Sequence, residues 1–141
     1  MKRKLLEYLN SEYDILKDVL MQTKEILKSL NLDDPDSANR LLSGRKKNIE
    51  KANKYQEAVL NIFKRSSSDH VDGDNDFNLL KERVVNILEE IKKLDNSISE
   101  IISREYAESK KGFKKTKEFN KFKKGYSLER KSLPGLFDKK S

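Results

Sequence analysis

The sequence contains no cysteine, which excludes disulfide bonds and cysteine-ligated metal sites and leads us to expect a reducing, cytoplasmic location. It also lacks tryptophan and has only two prolines and five glycines in 141 residues. A chain so poor in helix breakers, with 39% charged residues, is typical of long helices bathed in solvent. Polar residues interrupt every apolar run, so we expect neither a transmembrane segment nor a signal peptide.

The residue types that carry out catalysis are nearly absent. The single histidine, His70, stands in a polar segment, and the five glycines are isolated rather than clustered into a phosphate-binding loop. We therefore predict that the protein is not an enzyme and that it uses no cofactor and no small-molecule substrate.

An acidic segment is the one candidate metal site. Its alternating aspartates resemble the first ligands of a calcium-binding EF-hand loop: Asp72, Asp74 and Asp76. Such a loop also requires glycine at its sixth position and glutamate at its twelfth, where this chain has Phe77 and Arg83. We interpret residues 66–76 as a solvated loop that precedes a helix, and predict no metal site.

Apolar residues recur at helical spacing in three stretches, which predicts helices over about 3–30, 35–65 and 77–105. Asp34 and Asp76 are expected to be helix N-caps, with Pro35 at the first position of the second helix. Short turns favour antiparallel neighbours, so we predict an all-α fold in which residues 1–105 form an elongated antiparallel three-helix bundle. Two rows define the first seam: Leu6, Tyr13, Leu20, Leu27 and Leu9, Leu16, Thr23, Leu30.

Arg45 interrupts the apolar seam of the second helix. We expect its aliphatic stem to lie along the seam while its guanidinium stays in water. The third seam is the cleanest, and its residues form two rows: Phe77, Val84, Ile91, Ile98 and Leu80, Ile87, Leu94, Ile101.

Residues 106–141 differ from the rest of the chain. Residues 104–141 hold 13 basic and 5 acidic residues, whereas residues 1–103 hold 18 and 19. The aromatic spacing changes phase after Phe113, which predicts a break near 112–116, a short fourth helix and a flexible tail from Ser127 to Ser141 that includes Pro134-Gly135. Three matched helices should close their own core, so we predict a client-binding or gating role for five aromatic residues: Tyr106, Phe113, Phe119, Phe122 and Tyr126.

Several stretches resemble the small flagellar export chaperones of the FliT/FlgN type from Gram-positive bacteria. They are the leucine-rich first helix, Leu41-Leu42-Ser43-Gly44-Arg45-Lys46-Lys47-Asn48-Ile49 in the second, and Ile87-Leu88-Glu89-Glu90-Ile91-Lys92-Lys93-Leu94-Asp95 in the third. The C-terminal part adds Lys124-Gly125-Tyr126 and Phe137-Asp138-Lys139-Lys140.

The resemblance implies an ATP-independent chaperone that holds a late flagellar export substrate, the filament cap or a hook-filament junction protein, and passes it to export-gate components. Such a client would present an amphipathic helix to a groove on the bundle, and the fourth helix could occupy that groove until displaced. The sequence leaves open which client is bound, whether the chain is a monomer or homodimer, and any role in transcriptional regulation.

Two alternatives remain at this point. The first is a structural coiled-coil scaffold whose seams pair between chains of a homo-oligomer. The second is a nucleic-acid-associated protein that uses its lysine-rich arm, although 24 lysines against 7 arginines argue against base or phosphate recognition.

Overall fold

The computed structural model describes residues 2–65, 75–110 and 117–129, and all of its regular structure there is helical. The helices are α1 (Lys2–Asn31), α2 (Pro35–Arg65), α3 (Asn75–Lys110) and α4 (Lys117–Glu129). This confirms the predicted all-α bundle with a short fourth helix. None of the helices in these ranges is long and apolar enough to cross a membrane.

The turn between α1 and α2 is closed at both ends by local hydrogen bonds. At the end of α1, Asp33 takes a left-handed conformation with φ of 57°, and the amide of Asp34 bonds to the carbonyl of Ser29 at 2.8 Å. This is the Schellman arrangement, which satisfies carbonyls that the helix leaves unpaired. Asp34 then caps α2, because its carboxylate accepts from the amide and the hydroxyl of Ser37, at 3.2 and 2.7 Å. The predicted cap at Asp34 is confirmed.

The helices alternate in direction. α1 packs against both α2 and α3, while α4 packs against α2. Arg45 of α2 donates to Thr23 of α1 and to Asp95 of α3, and Tyr126 of α4 also donates to Asp95, so these four residues lie at one level of the bundle. The four helices therefore occupy the four corners of a bundle, with α4 diagonally opposite α1 and α3 diagonally opposite α2. At about 1.5 Å per residue, the 13 residues of α4 span less than half of the length of α2.

One of the two predicted rows of the α1 seam is confirmed, because Leu9, Leu16 and Thr23 are fully buried, whereas the other row is displaced by one residue. The fully buried positions of the seam alternate in steps of four and three: Leu5, Leu9, Glu12, Leu16, Val19, Thr23 and Ile26. Leu6, Tyr13 and Leu20 are only partly buried and pack at the edge of the core. The sequence pattern placed the first row one residue away from the buried one, because Glu12 makes the buried row appear polar.

Three boundaries also differ from the sequence prediction. α3 begins at Asn75, so Asp76 lies in its first turn rather than at the N-cap, and it continues to Lys110, five residues past the predicted end. α4 continues to Glu129, so residues 127–129 are helical and do not belong to a tail. The predicted break at 112–116 and the remainder of the predicted tail lie outside the described residues.

Candidate functional site

The aromatic face of α4 is buried against the bundle. Phe122 and Tyr126 are stacked with ring centroids 5.6 Å apart, and they belong to a core cluster that includes Ile26, Ala38, Leu42 and Ile98. Phe119 is 7% exposed, and near it the side-chain amide of Asn39 donates to the carbonyl of Glu118 at 2.8 Å. The structure thus differs from the expectation that three helices close the core without α4.

Beside this aromatic face lies a buried ion pair. The two terminal nitrogens of Arg45 donate to the two carboxylate oxygens of Asp95, at 2.9 and 3.0 Å. Arg45 is fully buried and Asp95 is 2% exposed. The prediction that the guanidinium would stay in water is therefore wrong. Because a buried charge is costly unless it is paired and hydrogen-bonded, this two-pronged geometry is what allows an arginine to stand in the seam.

Two hydroxyl groups complete the cluster. The Thr23 hydroxyl accepts from Arg45 at 2.9 Å and donates to the carbonyl of Val19 at 2.7 Å. The Tyr126 hydroxyl lies 2.7 Å from a carboxylate oxygen of Asp95 and 3.1 Å from its carbonyl oxygen. Burial and the neighbouring Asp95 carboxylate raise the pKa of Tyr126, so its hydroxyl keeps its proton and acts as a donor. We call these four residues, one from each helix, the Arg45 cluster: Thr23, Arg45, Asp95 and Tyr126.

A second polar group is buried elsewhere in the core of the bundle. Glu12 is fully buried, and within the described residues both of its carboxyl oxygens and the side-chain oxygen of Gln56 have no hydrogen-bond partner. Burial raises the pKa of Glu12 from its ordinary value of 4.5 to about 7. The Glu12 side chain therefore holds a proton under conditions in which an exposed glutamate would not.

A cleft of about 530 Å³ runs along the outer side of the boundary between α2 and α4. Gly125 and Leu128 line it from α4, and Leu42, Ser43 and Lys46 are among the residues that line it from α2. Leu128 is 69% exposed. The junction of α4 with the bundle is therefore tight on its aromatic side and open on its outer side.

Of the five aromatic residues that the sequence singled out, the structure brings three together: Phe119, Phe122 and Tyr126. Tyr106 lies in α3 but its side chain is outside the described residues, as is the whole of Phe113. Sequence reasoning missed the roles of Asp95, Thr23 and Glu12. A signal for two of them was present, because Glu12 and Thr23 interrupt an otherwise apolar seam at core spacing.

The site is a buried junction at which a short helix completes the fourth corner of a helical bundle. In the described part of the chain, no group of three or more acidic or histidine side chains could hold a metal ion. No family model, no curated protein and no solved structure matches this chain.

Proposed function

We propose that this protein is a cytoplasmic, ATP-independent secretion chaperone, which holds an amphipathic helix of a late flagellar export substrate and keeps it unassembled. The observation that carries the proposal is the docking of α4. This helix fills only one end of the fourth corner and presents an aromatic face to the other helices, as a bound amphipathic helix would. The resemblance to FliT/FlgN-type chaperones supplies the class of client.

The chemistry of the junction supports binding rather than catalysis. The charged groups of the Arg45 cluster bond to one another, and Arg45 and Asp95 are almost completely shielded from solvent. A reacting molecule would need access to at least one of them. The cluster instead fixes the position at which α4 docks, because α4 contributes Tyr126, which bonds to Asp95.

Burial of the aromatic face favours a gating role for α4 over direct contact with the client. While α4 is docked, Phe122 and Tyr126 face the core and are 0% and 2% exposed. A client that binds at this end must first displace α4 and then cover the same apolar surface. Release of α4 would then be part of client loading, and the export gate would receive a chaperone in the open state.

The test is calorimetric titration of the full chain with a C-terminal segment of the filament-cap or hook-filament junction protein from the same organism. The parent chain is compared with Phe119→Ala/Phe122→Ala/Tyr126→Ala and with the control Leu128→Ala, which changes an exposed residue of α4. A gate predicts tighter binding by the triple variant and no change in the control. Weaker binding by the triple variant would instead indicate direct contact with the client.

Absence of binding by the parent chain to either segment overturns the chaperone proposal. Sedimentation analysis of the same samples then distinguishes the alternatives. A stable homo-oligomer favours the scaffold, and strongly salt-dependent binding to duplex DNA or RNA favours the nucleic-acid function.

A further inference from the structure

The core contains two polar layers with the same spacing on two helices. Glu12 and Thr23 are eleven residues apart on α1, and Arg45 and Gln56 are eleven residues apart on α2. Eleven residues are about three helical turns, so the members of each pair lie on the same side of their helix. Because α1 and α2 are antiparallel and Thr23 pairs with Arg45, Glu12 falls at the level of Gln56. The two layers are about 16 Å apart along the bundle.

The fourth helix completes the first layer, whereas none of the described helices completes the second. In the first layer the Asp95 carboxylate accepts from Arg45 and from Tyr126 of α4. In the second, three buried oxygens of Glu12 and Gln56 lack a partner among the described residues. The cleft between α2 and α4 is lined on α2 as far as Glu50 and on α4 as far as Leu128. Gln56 therefore lies beyond the end of α4.

The surface that α4 occupies continues past this end. Asn39, which bonds to α4, and Lys46, which lines its cleft, belong to a row with a spacing of seven that continues to Asn53 and Leu60. Leu60 is a large apolar residue that is 38% exposed. From Glu50 to Arg65 this part of α2 is about 23 Å long, which is the length of a four-turn helix.

We propose that the half of the fourth corner that the described helices leave uncovered, on α2 and α3 beyond α4, is the docking site of an amphipathic helix from another protein that carries a lysine or arginine on its apolar face. The interface is continuous with the one that α4 already makes. The cationic residue is required by the unpartnered oxygens, because a buried carboxyl group forms its strongest hydrogen bonds with a charged donor. The cationic side chain must also be long, because Glu12 lies on α1, diagonally across the core from this corner. Lysine and arginine meet this need, since each carries its charge at the end of an apolar stem.

This inference rests on the proposed function to the extent that an external helix is bound. It adds where that helix docks and that its apolar face carries a lysine or arginine. It also differs from the gate at α4, because a helix in the uncovered half can bind while α4 remains docked. The two helices would then lie end to end in the same corner.

The test uses an 18-residue capped peptide with leucines at helical seam spacing and one central lysine, and a counterpart with methionine at that position. Binding to the full chain is measured by fluorescence anisotropy of the labelled peptide. We expect the lysine peptide to bind at least about tenfold more tightly than the methionine peptide, as a hydrogen bond to a charged group predicts. In the Glu12→Leu chain this preference should disappear, and this chain should remain folded because the new residue is apolar.

Leu60→Asp should weaken binding of the lysine peptide by about tenfold or more, while the control Met21→Asp should not, because Met21 is 66% exposed on α1 outside this corner. Equal binding of the two peptides to the parent chain, or a lysine preference that survives in Glu12→Leu, overturns the inference. Peptide binding that appears only when residues 130–141 are removed also overturns the inference, because the corner would then be occupied by the chain's own C-terminal segment. Self-association of the parent chain that is lost in Leu60→Asp overturns it as well, because the occupant would then be a second copy of this chain. If the flagellar segments bind the Leu60→Asp and parent chains equally, the inference fails and the proposed function stands.

Discussion

Arg45 and Asp95, fifty residues apart in the chain, form a two-pronged ion pair that lies entirely inside the bundle. Thr23 bonds to one partner and Tyr126 to the other, so all four helices meet at this pair. The pair therefore connects α2 with α3 and also forms part of the surface against which α4 docks. Removal of one partner leaves an unpaired charge in an apolar interior, which costs more than replacing both partners with apolar residues.

We expect Arg45→Met to lower the free energy of unfolding by about 3 to 5 kcal/mol, because Asp95 would be left buried without its main donor. The double change Arg45→Met/Asp95→Leu should recover most of that loss, since no charge remains. Chemical denaturation monitored by circular dichroism measures both. The control is Arg40→Met, which breaks the exposed pair of Arg40 with Asp36 and should cost less than about 1 kcal/mol. A loss at Arg45 no larger than that at Arg40 would contradict the cluster.

Glu12 should make the protein less stable as the pH rises. Its folded-state pKa of about 7 lies above the ordinary 4.5, so between these values the folded chain holds a proton that the unfolded chain has released. The contribution of Glu12 is therefore complete below about pH 4.5 and is lost as the pH rises from there through about 7, by up to about 3 kcal/mol in total. Glu12→Gln should remove this part of the pH dependence in denaturation at pH 5 and pH 8.5. The exposed Glu7→Gln is the control and should follow the parent at both values.

Tyr126→Phe should loosen α4 without unfolding α1 to α3. The ring still fills its place beside Phe122, but Asp95 loses a donor, which costs about 1 to 3 kcal/mol for a buried acceptor. Amide hydrogen exchange should therefore accelerate in α4 while the Leu16 and Ile91 regions stay protected. Leu128→Ala, on the exposed side of α4, should leave exchange unchanged. Equal protection of α4 in the Tyr126→Phe and parent chains would mean that the hydrogen bond contributes nothing to docking.

The buried seam predicts a contrast between two aliphatic residues. Ile91 is fully buried, so Ile91→Ala should cost about 2 to 5 kcal/mol through lost apolar contact and the cavity that remains. Leu20 packs at the edge of the core, and Leu20→Ala should cost clearly less. Thermal melts of the two variants give the comparison. A larger loss at Leu20 would restore the seam that the sequence pattern first indicated.

The elements of the fold could be predicted because helices depend on local spacing and caps. Apolar repeats marked three helices, and Asp34 with Pro35 marked the start of the second. The Arg45 cluster could not be predicted in the same way, because an arginine in an apolar row can either reach water or find a buried acid. The acid that decided the outcome lies fifty residues away, and nothing in local spacing connects the two.

The aromatic residues of the C-terminal part show the same division. Their change of phase after Phe113 predicted a separate short helix, and α4 is that helix. Where it docks depends on Asn39, Leu42 and Asp95, which belong to other helices. Their side chains become a binding surface only after the first three helices have packed together.

Apolar heptads by themselves allow the helices of a bundle to slide past one another by seven residues with little change in core packing, and the ion pair that crosses the core between α2 and α3 opposes that slip. A shift of α3 by one heptad would place Leu88 or Ile102 opposite Arg45 and leave the guanidinium buried without an acid. The alignment of α2 and α3 is then set by a single interaction, as a buried polar residue sets the register of a coiled coil. We expect the Arg45→Met/Asp95→Leu chain to lose this selectivity. Distances between spin labels on cysteines introduced at the exposed Lys47 of α2 and Glu82 of α3, in a chain that has no cysteine of its own, should then show populations that the parent chain lacks, because a one-heptad slip moves α3 by about 10 Å along the bundle.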